Sequence, residues 1–108
     1  MDRDSRVRAY YQRLDNAEYA ELESLLHPEF VQRRPDRTFD DRASFLAFMR
    51  SERPVTDTSH DITSVCASRG GRAASGTLRD SDGNELFVFI DVFRFGDDGR
   101  ITGLITYV

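Results

Sequence analysis

The chain has 108 residues, enough for one core and too few for two, so a single domain spanning 1–108 is expected. A formal net charge of -4, with no Lys/Arg cluster dominating any segment, argues against nucleic acid as a partner. The lone Cys66 excludes an intrachain disulfide; with no N-terminal apolar stretch and no run long enough to span a bilayer, the composition points to a reduced cytoplasmic protein with no membrane partner.

From the N-terminus, Ser5 to Leu14 place Val7, Tyr10, Tyr11 and Leu14 at helical spacing, and Asp15 and Asn16 are residue types that stop one helix and cap the next. A second helix carries the stripe Tyr19, Leu22, Leu25 and Leu26 and ends at His27 before Pro28. Phe30 to Arg34 reads as a short extended piece leading to Pro35. Asp40 or Asp41 can then cap a third helix bearing Phe45, Leu46, Phe48 and Met49, which Pro54 closes. Beyond it the period changes from helical to alternating. Strands are expected at Ser59 to Ser68, Arg72 to Arg79, Leu86 to Phe95 and Ile101 to Val108, with turns at RGGR, DSDGN and GDDGR. Three helices followed by four antiparallel strands give an α+β domain whose helices cover one face of a curved sheet.

The stretch ELFVFIDVFRF, Glu85 to Phe95, is the most informative. Alternation puts Phe87, Phe89, Asp91, Phe93 and Phe95 on one face and Leu86, Val88, Ile90, Val92 and Arg94 on the other. A carboxylate among four phenylalanines must find a cation or hydrogen bonds, or take up a proton, because leaving it charged and unpaired costs several kcal/mol. Both faces of this strand are apolar, so both need covering. The helices can cover one; a second copy of the chain is the simplest cover for the other, which argues for a homodimer through the sheet face.

The element order, together with AYYQRLDNAEYAELESLLHPEF, IDVFRF and the GDDGRITGL that follows, resembles the NTF2-like superfamily, and within it the SnoaL-like cyclases and the Δ5-3-ketosteroid isomerases. The resemblance covers nearly the whole chain and implies a cone of three N-terminal helices packed on a curved antiparallel sheet. It is specific for fold and weak for activity, because one such scaffold supports many chemistries. Compared with the isomerases, the tyrosine that binds the developing enolate falls on Tyr10 and the protonated aspartic acid on Asp91. The proton-abstracting base falls on Arg34, just before Pro35, and an arginine cannot act as that base.

The resemblance therefore implies an apolar cone cavity that takes a small hydrophobic carbonyl or ring compound, walled by Phe87, Phe89, Phe93 and Phe95, with Arg34 at its lining. Any catalysis would be of the isomerase, cyclase or dehydratase kind, with Tyr10 and Asp91 polarising an oxygen. His60 shares a strand face with Ile62 and Ser64 and is the remaining candidate base near neutral pH, although its place near the strand's start favours surface exposure. His27 reads as a helix-end residue. No cofactor is called for, and Cys66 has no His/Cys companions at metal-ligand spacing. The alternative is a noncatalytic dimerisation or ligand-sensing domain in which Asp91 and Arg34 form a buried ion pair. Epoxide hydrolysis of the limonene-epoxide type wants an arginine two residues before the strand aspartate, where this chain has Phe89.

Overall fold

Two aspartates start the main helices. Asp2 accepts a hydrogen bond from the Ser5 amide at 2.7 Å and opens α1 (Arg3–Asp15), and Asp41 does the same for the Ser44 amide at 2.7 Å to open α3 (Arg42–Ser51). Between them lies the seven-residue α2 (Tyr19–Leu25), reached through Ala17 at φ 57. The computed structural model describes residues 1–53 and 55–108, so the helix stop expected at Pro54 lies outside the described residues.

The chain leaves α2 earlier than the leucine stripe suggested. β1 (Leu26–Arg33) takes Leu26, His27 and Pro28 into an extended segment. Proline disfavours the helical region for the residue before it and has no amide to donate, so the helix ends ahead of His27. His27 is accordingly a strand residue rather than a helix end, its Nδ1 accepting from the Glu29 amide at 3.0 Å. A two-residue strand, β2 (Thr38–Phe39), was not expected; it pairs antiparallel with β1 and buries Phe39 against Phe45 and Phe48.

The four later strands are β3 (Ser59–Ser68), β4 (Gly71–Arg79), β5 (Glu85–Phe95) and β6 (Ile101–Tyr107), each within a residue of its expected span. Gly83 and Gly99, at φ 85 and 87, supply the left-handed backbone that the turns after β4 and β5 require. The sheet is larger than the sequence suggested: six strands in the order β2-β1-β6-β5-β4-β3. It is also not wholly antiparallel, because β1 runs parallel to β6. Strand β6 would otherwise leave its backbone groups open along one edge, and β1, with Leu26 and Phe30 fully buried, needs a strand beside it.

The helices cover one face. Phe93 lies fully buried on that face, with the Tyr10 and Tyr11 rings edge-on to it at 5.4 and 5.9 Å. The other face of β5 is bare, with Val88 58% and Ile90 49% exposed. No helix among the described residues is long and apolar enough to cross a membrane.

Register shifts bend the sheet, one of them in β3 between Ile62 and Ser64. Across from Ile62 lies Gly76, which on its other side faces Phe89. A Cβ at Gly76 would stand 2.6 Å from the Asp61 carbonyl oxygen and 3.0 Å from the tip of the Phe89 ring. Backbone cannot yield as a flexible side chain can, so Gly76→Ala is expected to destabilise the fold by about 1–3 kcal/mol. Denaturant unfolding checks this, and a midpoint equal to that of the parent chain would contradict the crowding argument.

Candidate functional site

Asp91 is 5% exposed, and its neighbours are not only aromatic. The Tyr11 hydroxyl donates to Asp91 Oδ2 at 2.6 Å, and the hydroxyl of Thr106, its cross-strand partner on β6, donates to Oδ1 at 2.6 Å. Thr106 in turn accepts from Gln32 Nε2 on β1 at 3.0 Å. Burial drives the Asp91 carboxyl above its ordinary range. The hydrogen bonds from Thr106 and Tyr11 and the charges of His60 and Arg34 pull the other way without cancelling that rise.

The sequence reading linked Tyr10 to Asp91; the residue that makes the bond is Tyr11. Adjacent helix positions point about 100° apart. Tyr11 turns toward β5, while Tyr10 turns toward Phe45, with which it stacks at 6.4 Å. Burial, and then the Asp91 charge, push both phenols well above their usual range, so each stays a hydrogen-bond donor through neutral pH. The Tyr10 hydroxyl makes no hydrogen bond among the described residues, and Tyr10 lines a cavity of about 350 Å³.

That cavity also receives Gln32, Arg34, His60, Phe89 and Asp91. Apolar walls come from Phe48, Met49 and Phe87. Of the four phenylalanines expected to wall it, Phe87 and Phe89 do so. Phe93 is core, and Phe95 packs under the Arg3 guanidinium at 5.0 Å, away from the lining. The difference follows from length: β5 is longer than the space it helps enclose, and α1 closes over its later half.

Arg34 reaches the cavity, but its ion pair is with Asp36 at 3.2 Å and not with Asp91. Its guanidinium lies 5.6 Å from the centre of the Phe48 ring. Burial works to raise the Asp36 carboxyl, yet Arg34 and Arg37 prevail and hold it below its ordinary value.

His60 is not at the surface, contrary to its reading from position alone. Its Nδ1 lies 2.6 Å from Asp15 Oδ1, its backbone amide donates to Asp15 Oδ2 at 2.8 Å, and its ring packs on Tyr11 at 5.1 Å and Phe89 at 5.5 Å. A carboxylate partner can only accept, so it is the Nδ1–H of the ring that donates to Asp15.

Tyr11, Thr106, Gln32 and Asp15 were not singled out in the sequence. Asp15 follows Tyr11 by four positions and so shares its helix face, a signal that its reading as a helix stop concealed. Thr106 and Gln32 owe their places to strand pairing, which a period of two does not reveal. Among the described residues no group of three or more His, Cys, Asp or Glu side chains is placed to hold a metal ion.

No curated protein matches the sequence at a significant level. Solved structures do match the fold. An NTF2-like protein of unknown function from Cytophaga hutchinsonii superposes with a TM-score of 0.83 at 11% identity, over 99% of this chain and 89% of that one. A candidate polyketide cyclase from Sinorhizobium meliloti gives 0.82 at 12% identity, over 95% and 94%. A candidate ketosteroid isomerase from Kribbella flavida gives 0.81 at 22% identity, over 94% and 73%. These likenesses establish the fold, and the family comes from the sequence itself. The family model described as a SnoaL-like domain matches residues 7–104, and the chain belongs to that family, with the NTF2-like fold.

Proposed function

We propose that the cavity binds a small hydrophobic carbonyl or ring compound and moves a proton on it, in chemistry of the isomerase, cyclase or dehydratase kind. The observation that carries this reading is the convergence on one largely apolar space of Tyr10, a phenol with no hydrogen bond among the described residues, a carboxyl with a raised pKa, Asp91, and an imidazole held by a carboxylate, His60 with Asp15. A neutral Asp91 keeps Oδ1 as acceptor for Thr106. Its Oδ2 accepts from Tyr11 and still has a proton to give a ligand oxygen. Beside it the Tyr10 hydroxyl is a second donor, so the two polarise a carbonyl and stabilise the charge of an enolate. The lone pair on His60 Nε2 is then the base. Steroid isomerisation itself is not expected, since Arg34 stands where the isomerase base would be.

The test is α-proton exchange of a bicyclic ketone such as 1-tetralone in deuterated buffer, followed by mass spectrometry. His60→Gln should slow catalysed exchange by about 10²-fold or more, the range assigned to a positioned general base. Exchange at the uncatalysed rate with ketone demonstrably bound would favour the noncatalytic reading.

A second reading has its own support: both Asp91 oxygens are already satisfied by the protein, as in an acid that serves stability alone. Asp91→Asn separates the two. A carboxyl whose folded pKa lies above its unfolded value adds stability that is complete below the unfolded value and is lost as pH rises through the folded one. The stability of the parent chain relative to Asp91→Asn should therefore decline as pH rises above about 4, the ordinary aspartate range. Ketone binding should weaken with pH in the parent and stay level in the variant if Asp91 donates to the ligand. Thermal unfolding and titration calorimetry across this range read both quantities.

The homodimer belongs to this proposal. Val88 and Ile90 on β5, with Tyr107 across from Ile90 on β6, leave an apolar sheet face open to water, and a second copy would cover it. Val88→Asp, at a residue that does not line the cavity, should convert a dimer to monomer in sedimentation. A parent chain that stays monomeric at micromolar concentration would contradict it.

A further inference from the structure

Exposure along the lining of the cavity marks which end is closed and which is open. On the inner face of β5, Asp91 and Phe89 are buried, whereas Phe87 is 41% exposed. Leu86 and Val108 also line the cavity, at 42% and 70% exposed, so the start of β5 and the residue after β6 stand at its mouth. Leu78 on β4, directly across from Phe87, lines it too. The charged side chains nearer this end, Arg34 with its partner Asp36 and Arg53, come from the connection between β1 and β2 and from beyond the end of α3. The sheet side of the cavity is therefore an apolar wall that runs from buried Phe89 out to solvent.

Apolar side chains exposed singly need no explanation, but Leu78, Leu86 and Phe87 adjoin one another and continue the wall that Phe89 begins. Strand β5 also supplies a length. Each strand residue rises about 3.3 Å, so Phe87 stands about 13 Å along β5 from Asp91, four positions away on the same face. A bicyclic ketone with its oxygen at Asp91 is shorter than this and leaves the outer wall uncovered. We infer that the ligand is an elongated ring ketone with an apolar arm on the side opposite its oxygen, and that the arm lies along Leu78, Phe87 and Leu86 to the mouth.

This assignment rests on the cavity being the ligand site, and it goes beyond that reading by fixing the ligand's length and the direction of its apolar part. Phe87 and Leu86 are the specificity-determining residues. They favour a substituent that points away from the carbonyl, because only such a substituent reaches them. One placed beside the carbonyl is driven instead against the closed end, where Tyr10 and Asp91 are buried and close packing resists added volume.

Titration calorimetry with 1-tetralone and two isomeric derivatives tests the assignment. In 6-butyl-1-tetralone the chain points away from the carbonyl, and in 2-butyl-1-tetralone it stands beside it, so the pair match in composition and differ in direction. The 6-butyl compound should bind about tenfold tighter than 1-tetralone, roughly twofold per carbon, because a chain lying on an open wall is buried on one side and gains about half of what full burial gives. The 2-butyl isomer should gain nothing. In Phe87→Ser and Leu86→Ser the ratio of 6-butyl to unsubstituted affinity should fall toward one, with circular dichroism checking that both variants fold. An unchanged ratio in both would overturn the inference. So would equal binding of the two isomers by the parent chain, as follows if a second copy covers the wall, or tighter binding of the 2-butyl isomer; either result leaves the cavity reading standing. Binding of no ketone would overturn both.

Discussion

A carboxyl group buried in the sheet of this protein must be provided for, and the provision organises much of the molecule. Asp91 on β5 takes a hydroxyl from α1 and another from β6, and the β6 hydroxyl is itself held by an amide on β1. Two of these bonds, Tyr11 to Asp91 and Gln32 to Thr106, join elements distant in sequence, and the geometry of all three needs the helix seated and the strands in register. The aromatic layer of Tyr10, Tyr11, Phe89 and Phe93 surrounds the same point and excludes the water that would otherwise solvate the acid. Low polarity raises the carboxyl's affinity for its proton, and hydroxyl donors moderate that rise. Burial prevails, and the carboxyl sits above its ordinary range.

The cavity beside this acid has a division of labour between neighbouring tyrosines. Tyr11 is committed to Asp91, and the Tyr10 hydroxyl makes no hydrogen bond among the described residues. His60 is likewise held on one side by Asp15, through both its ring and its backbone amide, so its orientation costs a ligand nothing to arrange. Arg34 contributes differently: paired with Asp36 and resting over Phe48, it closes the wall as a neutralised pair rather than presenting a bare charge to the cavity.

Much of the architecture was legible in the sequence because it is written in local periods. The switch from helical spacing to alternation after α3, and the glycine-containing turns, place the four later strands within a residue, and Asp41 places the start of α3, whereas α1 begins earlier, at the cap Asp2, and α2 starts after Glu18 with no side-chain cap. What was not legible depends on pairing between distant segments. Nothing local says that β1 joins β6 in parallel, that Thr38 and Phe39 add a sixth strand, or that Gln32 faces inward. The choice between Tyr10 and Tyr11 failed for a related reason: both lie on the buried side of one helix, and only the angle at which α1 crosses β5 decides which of them reaches Asp91. The face of Asp91 itself was read correctly, since alternation is enough for it, whereas the extent of the cavity along that face was overread at Phe93 and Phe95.

The partners in this network stand far apart along the chain, 80 positions between Tyr11 and Asp91 and 74 between Gln32 and Thr106. No fragment of the protein carries the cavity, and no partial unfolding that frees β6 or α1 leaves it intact. Occupancy and global folding are therefore thermodynamically linked: a molecule that fits the cavity binds the native state alone and draws the whole chain toward it by mass action. At a hundred times its dissociation constant such a ligand would add about 2.7 kcal/mol to the free energy of unfolding, a sizeable share of the stability of a domain this small. Were the proposed ligand to bind, the abundance of the folded protein in a cell would follow the supply of that ligand.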